Sequence, residues 1–261
     1  MKSRSYINQI IIYVVIYLSY FETRLRISFQ HFEDLIQHIR FCEKLKIRNL
    51  IIEPLNNEVV ISRSLKNKIQ DLTSIRIYYR ITLNPYDLKE FNQKIQKFND
   101  FSDILAVESQ NKSVQLKASK DSRVDILSFS EINNTKNISK GVLSLLNQHN
   151  KYLEVSLSPL LIENRSSQSR NFRIIYRTME KILDSRVKYF FCGDPLNKFD
   201  LRNPRSFISI CNSLLDIPIE KARMGFEKYP QELIDKKSSE RKSEKLQNGV
   251  KLIGGHEIFE D

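Results

Sequence analysis

Three carboxylates stand where β-strands would end. Glu53 follows Asn49-Leu50-Ile51-Ile52, Glu108 follows Ile104-Leu105-Ala106-Val107, and Asp194 lies just past Val187–Cys192. Parallel α/β proteins gather their catalytic groups at the carboxyl ends of strands. Three carboxylates there are hard oxygen ligands suited to a divalent ion. Buried strand-end carboxylates also pair with arginine, and the first strand supplies Arg24 and Arg26. Ser128, Ser130, Ser156 and Ser158 mark two further strand ends. Histidine is missing from all of these positions. His31, His38, His149 and His256 fall on helical stretches or in the tail, with neither HxH nor HExxH spacing. No GxSxG, Walker A or Ser-His-Asp set is visible. The residue types therefore argue against a self-sufficient enzyme.

Basic charge is concentrated instead. Between Arg165 and Arg205 lie ten Lys/Arg against four Asp/Glu, in a chain whose net charge is +11. At about 100° per residue, Arg170, Arg173, Arg177 and Lys181 share one side of a helix. Phe172, Ile175, Met179, Ile182 and Leu183 form the opposite, core-facing stripe. Such a ridge can track a phosphate backbone, with arginine forks on phosphate oxygens; solvated helix faces normally mix both signs. Arg123, Arg202 and Arg205 complete the candidate RNA-binding set. Asp121 and Asp125 flank Arg123 and offer it an ion-pair role instead.

These residues need a scaffold, and the hydrophobic pattern supplies one. Strand-like runs at Phe21–Ser28, Asn49–Pro54, Ile75–Leu83, Ile104–Val107, Val124–Phe129, Tyr152–Leu157 and Val187–Cys192 alternate with helical stretches. Asn84-Pro85 reads as an N-cap and first helical residue, and a long helix is expected over 169–184. Repeated βα units imply a parallel sheet. Without a GxGxxG turn or a second domain, the pattern points to a single-domain TIM-barrel-like (β/α) barrel of about seven parallel strands over residues 20–228.

Both termini differ from this body. Residues 1–19 form an apolar extension; its run Ile10–Leu18 is short for a membrane span, which needs about 20 residues. Residues 229–261 are set apart as a charged, flexible tail; from Asp235 onward the chain is polar and weakly periodic, as a solvated tail or a loose helix would be. Three scattered cysteines, Cys42, Cys192 and Cys211, suit a reducing, cytoplasmic location.

Several segments resemble one known family, RNase P protein component 3. They are "FCEKLKIRNLIIEP" (Phe41–Pro54), "YYRITL" (Tyr78–Leu83), the segment Asp103–Ser130 containing "DSRVDILSF", "KYLEVSLSPLL" (Lys151–Leu161), "SRNFRIIYR" (Ser169–Arg177) and the segment Asp200–Pro218 containing "LRNPR". The resemblance implies a ribonuclease P subunit that assists a catalytic RNA in removing 5′ leaders from precursor tRNA. Its implied partners are that RNA, component 2 and the other protein subunits. It implies no cofactor on this chain, with Mg2+ used by the RNA, and no membrane. The resemblance also implies a barrel related in fold to the polymerase and histidinol phosphatase metallohydrolases, whose first strand carries HxH. Here that strand reads Glu22-Thr23-Arg24-Leu25-Arg26. A metal-dependent phosphoesterase with an atypical site is the alternative activity, and membrane association through Ile10–Leu18 the alternative role.

Overall fold

The computed structural model describes residues 19–247, except 30–31, 56–59, 100 and 196, and except the side chains of 241–247. The apolar run Ile10–Leu18 lies outside the described residues. Seven strands, β1 (Phe21–Ile27), β2 (Asn49–Pro54), β3 (Arg76–Leu83), β4 (Ile104–Val107), β5 (Ile126–Phe129), β6 (Tyr152–Ser156) and β7 (Lys188–Cys192), pair in sequence order. Every pairing is parallel. The sheet is a nearly closed barrel.

Helices α1 (Phe32–Lys44), α2 (Arg63–Gln70), α3 (Leu88–Gln96), α4 (Lys112–Lys120), α5 (Ile132–Lys136), α6 (Lys140–Gln148) and α7 (Arg165–Asp184) form the crossovers. Each strand alternates, so outward Leu50, Ile52, Leu105, Val107, Leu127, Phe129, Leu153 and Val155 pack under the helices. Polar caps set the helix starts. The Asp87 side chain accepts from Glu90 N–H, and Tyr86 N–H donates to Glu90 Oε2 at 2.8 Å. The helix therefore begins at Leu88, and Asn84-Pro85 stays in the loop, against expectation. Asn164 caps α7 by accepting from Ser167 N–H, which extends that helix four residues ahead of its expected start at 169.

After β7 come α8 (Pro204–Ser213), α9 (Ile219–Arg223), a π-turn (Met224–Lys228) and α10 (Tyr229–Gln247). The π-turn packs against β7 and β1, where Gly225 lets the backbone approach Phe191 and Tyr189. A Cβ at Gly225 would meet Phe191 Cδ2 at 2.8 Å. Residues 229–247 form helix α10, which carries the folded body past the boundary expected at 228. Leu233 and Ile234 on α10 are buried with Phe21, Ile51, Ile104, Ala106, Ile126, Tyr152 and Phe190, the inward residues at the amino ends of the strands. The charged face of α10 masked this: two adjacent apolar residues among lysines and acids leave no helical period to read. Lys237 pairs with buried Asp125 at 3.2 Å and Lys188 with Glu232 at 2.8 Å, tying α10 across the barrel floor.

Candidate functional site

Above this apolar floor the barrel is filled with charge. Inward positions climb each strand: Tyr78, Arg80 and Thr82 on β3; Ile126 and Ser128 on β5; Tyr152, Glu154 and Ser156 on β6. Arg80 and Glu154 are both fully buried and pair at 2.7 Å. Thr23 and Ser128 hydroxyls also donate to Glu154, and Arg80 Nη1 donates to the Thr23 carbonyl. In the next layer Arg24 Nε donates to Glu53 Oε2 at 2.9 Å, and Arg24 Nη1 to Glu108 Oε2 at 3.0 Å and to Ser128 Oγ at 3.1 Å. Asp194 lies 3.8 Å from Arg24 Nε and accepts both prongs of Arg26 at 2.8–2.9 Å. A register shift in β1 between Glu22 and Leu25 lets Arg24 turn inward in this way.

Glu53, Glu108 and Asp194, the trio from separate strand ends, thus converge as expected, and what they converge on is a guanidinium. Burial works to raise the Glu108 carboxyl, but Arg24 and the Ser130 hydroxyl and N–H outweigh it and hold the group below its ordinary value. Glu154 is likewise held down, burial being overcome by Arg80 and Arg24. Asp194 goes the other way: its burial outweighs both arginines and raises it. A divalent ion of the kind expected on metallohydrolase barrels does not fit these residues. Its oxygen donors already surround Arg24, and bringing a dication beside a buried guanidinium costs repulsion as well as the lost ion pairs. Among the described residues no group of three or more His, Cys, Asp or Glu side chains is arranged to hold a metal ion.

Glu22 has another duty. Its carboxylate accepts from Gly193 N–H at 3.1 and 3.2 Å and from Arg24 N–H at 3.2 Å, bridging the seam where β7 meets β1 without a strand ladder. Burial, with Asp194 and Glu154 adding to it, pushes Glu22 up to about 8 despite those backbone donors.

The six candidate arginines do not form one surface. Arg170, Arg173 and Arg177 project from the solvent side of α7, exposed and, among the described residues, with no carboxylate partner; Arg173 Nε donates only to the Ser169 carbonyl. Opposite them Ile175, Met179 and Ile182 are buried and Phe172 and Leu183 half-buried, as the periodicity requires. Arg202 and Arg205 are exposed at the carboxyl end of the barrel, where Arg202 donates to carbonyls of its own loop and Arg205 opens α8. Arg123 sits at the opposite end, between α4 and β5. Its guanidinium grips Asp121 at 2.8 and 2.7 Å and Asn99 at 2.7 Å. Its charge is therefore paired with Asp121 at a half-exposed position. Sequence reasoning missed Arg80, Glu154 and Glu22 as interior residues. The available signal was parity: Arg80 in IRIYYRITL and Glu154 in YLEVSL occupy the inward phase of otherwise apolar strands.

No helix among the described residues is long and apolar enough to cross a membrane. The fold matches solved structures. An archaeal ribonuclease P with mature tRNA contains a chain 19% identical, aligned over 92% of this chain and 98% of its own, at TM-score 0.69. An uncharacterized protein is 8% identical over 83% of this chain and 74% of its own, at 0.61. A Xaa-Pro dipeptidase with methionine in its active site is 10% identical over 82% and 75%, at 0.54. No curated protein matches by sequence. Residues 20–242 match the family described as RNase P subunit p30, a span that takes in the barrel and most of α10. The chain belongs to the RNase P subunit p30 family.

Proposed function

We infer that this chain is a noncatalytic, RNA-binding protein subunit of ribonuclease P. It works with the RNase P RNA, protein component 2 and the other subunits on precursor tRNA, in the cytoplasm, with Mg2+ used by the RNA. The observation that carries the noncatalytic reading is Arg24: its guanidinium fills the place where strand-end carboxylates would otherwise present oxygen to an ion. The metal-dependent phosphoesterase reading has no donor set to stand on among the described residues. The RNA reading is supported by the arginines of α7, which have no carboxylate partner among the described residues and whose helix locks its apolar face into the core while the charged face meets solvent. The barrel mouth is a poor alternative for an anion, since Glu108, Glu131, Asp194 and Asp200 line its two clefts beside Arg24 and Arg26.

The test is reconstitution with RNase P RNA and component 2, measuring precursor-tRNA cleavage with and without this chain. Addition should stimulate cleavage, and the chain alone should cleave nothing with any divalent metal. Replacing Arg170, Arg173 and Arg177 by alanine should weaken RNA binding and flatten its salt dependence by roughly one counterion per lost phosphate contact. An unchanged slope would assign this face to a protein partner or to solvent.

A further inference from the structure

We propose that the amino-terminal rim of the barrel, from the end of α7 round to the start of β3, is a second phosphate-binding surface continuous with the α7 ridge. It rests on the RNA-binding reading and gives it a second location. Lys46, Arg48, Arg76 and Arg186 are all exposed there. Arg186 lies two residues past α7 and leads into β7, Lys46 and Arg48 lead from α1 into β2, and Arg76 opens β3. Arg76 N–H donates to the Arg48 carbonyl at 3.0 Å, so these two are immediate neighbours. The four cations stand at the starts of β7, β2 and β3, with β1 packed between β7 and β2. The path from Arg170 down α7 to Arg186 feeds directly into it, with Glu180 and Asp184 the acids along the way.

Two further observations mark these cations as more than solvated surface. Among the described residues none of the four pairs with a carboxylate. Arg76 donates to the Ser19 hydroxyl at 2.7 Å; of the acids on this face, Glu232 pairs with Lys188, Asp235 accepts from Gln231, and Glu43 accepts from the Thr73 hydroxyl and keeps its charge. Lys46 and Arg186 also hold left-handed backbone, at φ 61 and 59, in the turn after a helix where glycine fits without a Cβ clash. Asn150 occupies the same kind of turn after α6, at φ 50, so the turn itself does not ask for a cation. Asp216 does the same after α8, at φ 52; of these turns, the two that flank the proposed surface carry basic side chains.

The experiment uses the full chain and in-vitro transcribed RNase P RNA, with affinity measured across a salt series. The double variant Lys46→Gly, Arg186→Gly removes two charges while relaxing both turns. Its melting temperature should stay level or rise, its affinity should drop by about tenfold, and its log–log salt slope should shrink by roughly 2. Lys46→Asn with Arg186→Asn, which copies the turn at Asn150, should behave alike if the glycine pair proves poorly folded. If both folded variants keep wild-type affinity and slope while the α7 alanine variant loses them, the rim proposal is overturned and the RNA reading stands. If the wild-type chain itself shows no salt-dependent RNA binding, the RNA reading falls and takes the rim with it.

Discussion

Glu22→Gln should remove a pH-dependent loss of stability that the wild-type barrel carries. Burial raises the Glu22 carboxyl from 4.5 to about 8 in the folded protein. Below the unfolded value the acid is protonated in both states, and the folded seam keeps its full stability. As pH climbs toward about 8 the unfolded chain ionises freely and the buried group does not, so stability drains away through this interval. At about 1.4 kcal/mol per pH unit, the loss from this one group reaches up to about 5 kcal/mol. Glutamine copies the protonated shape. Its carbonyl can take the Glu22 Oε1 position, accepting from Gly193 and Arg24 N–H; its amide nitrogen gives up the Oε2 contact with Gly193 N–H but has no charge to desolvate. Urea denaturation of both proteins at several values between about pH 5 and pH 9 gives the difference directly, since every other titrating group is shared. The variant should gain on the wild type steadily with pH and be the more stable protein near pH 8. Parallel profiles would refute the reasoning, because they would mean that Glu22 ionises folded as easily as unfolded.

Arg24→Leu strips the cation from Glu53 and Glu108 and should cost about 3–5 kcal/mol at neutral pH. The deficit should narrow in denaturation curves taken at falling pH, as the stranded carboxylates protonate. Leu233→Ala opens a void in the barrel floor, and a loss of about 2–5 kcal/mol in the same assay is expected; a neutral result would mean that α10 does not seal the floor in solution. Gly193→Ala places a Cβ 2.7 Å from Glu22 Oε2 and 3.2 Å from Phe207. Calorimetry should register a lower melting temperature, because the seam carboxylate must leave its two backbone donors.

The scaffold was largely legible in the sequence because strands and helices announce their buried faces by period. Asn49–Pro54 and Ile104–Val107 stand where their apolar runs placed them, and α7 buries the stripe that its spacing marked. The docking of α10 had no period to betray it, whereas Arg80 and Glu154 left one in the parity of their strands. The apolar part of α10's docking on the barrel floor rests on Leu233 and Ile234, two neighbours in a polar helix, with Tyr229 beside them. The meeting of Glu53, Glu108 and Asp194 could be foreseen from strand ends, but the depth of Arg80 and Glu154 depends on which phase of each strand faces inward. That phase is fixed by the register shift in β1 and by pairing around the whole barrel. Arg123 shows the limit for surface charge: its neighbours Asp121 and Asn99 decide whether its cation is available, and only Asp121 is near in sequence.

The seam between β7 and β1 has a consequence for how the chain reaches this state. Contacts joining Glu22 to Gly193 and Thr23 to Phe191 connect residues about 170 positions apart. Leu233 then plugs a floor begun by Phe21. Entropy must be given up over that whole span before either contact returns anything. During synthesis the first strand therefore waits, edge exposed, until nearly the entire domain has left the ribosome. Slow, late closure is the kinetic signature of such an architecture, and a chain cut before α10 would expose its apolar floor to whatever else is folding nearby.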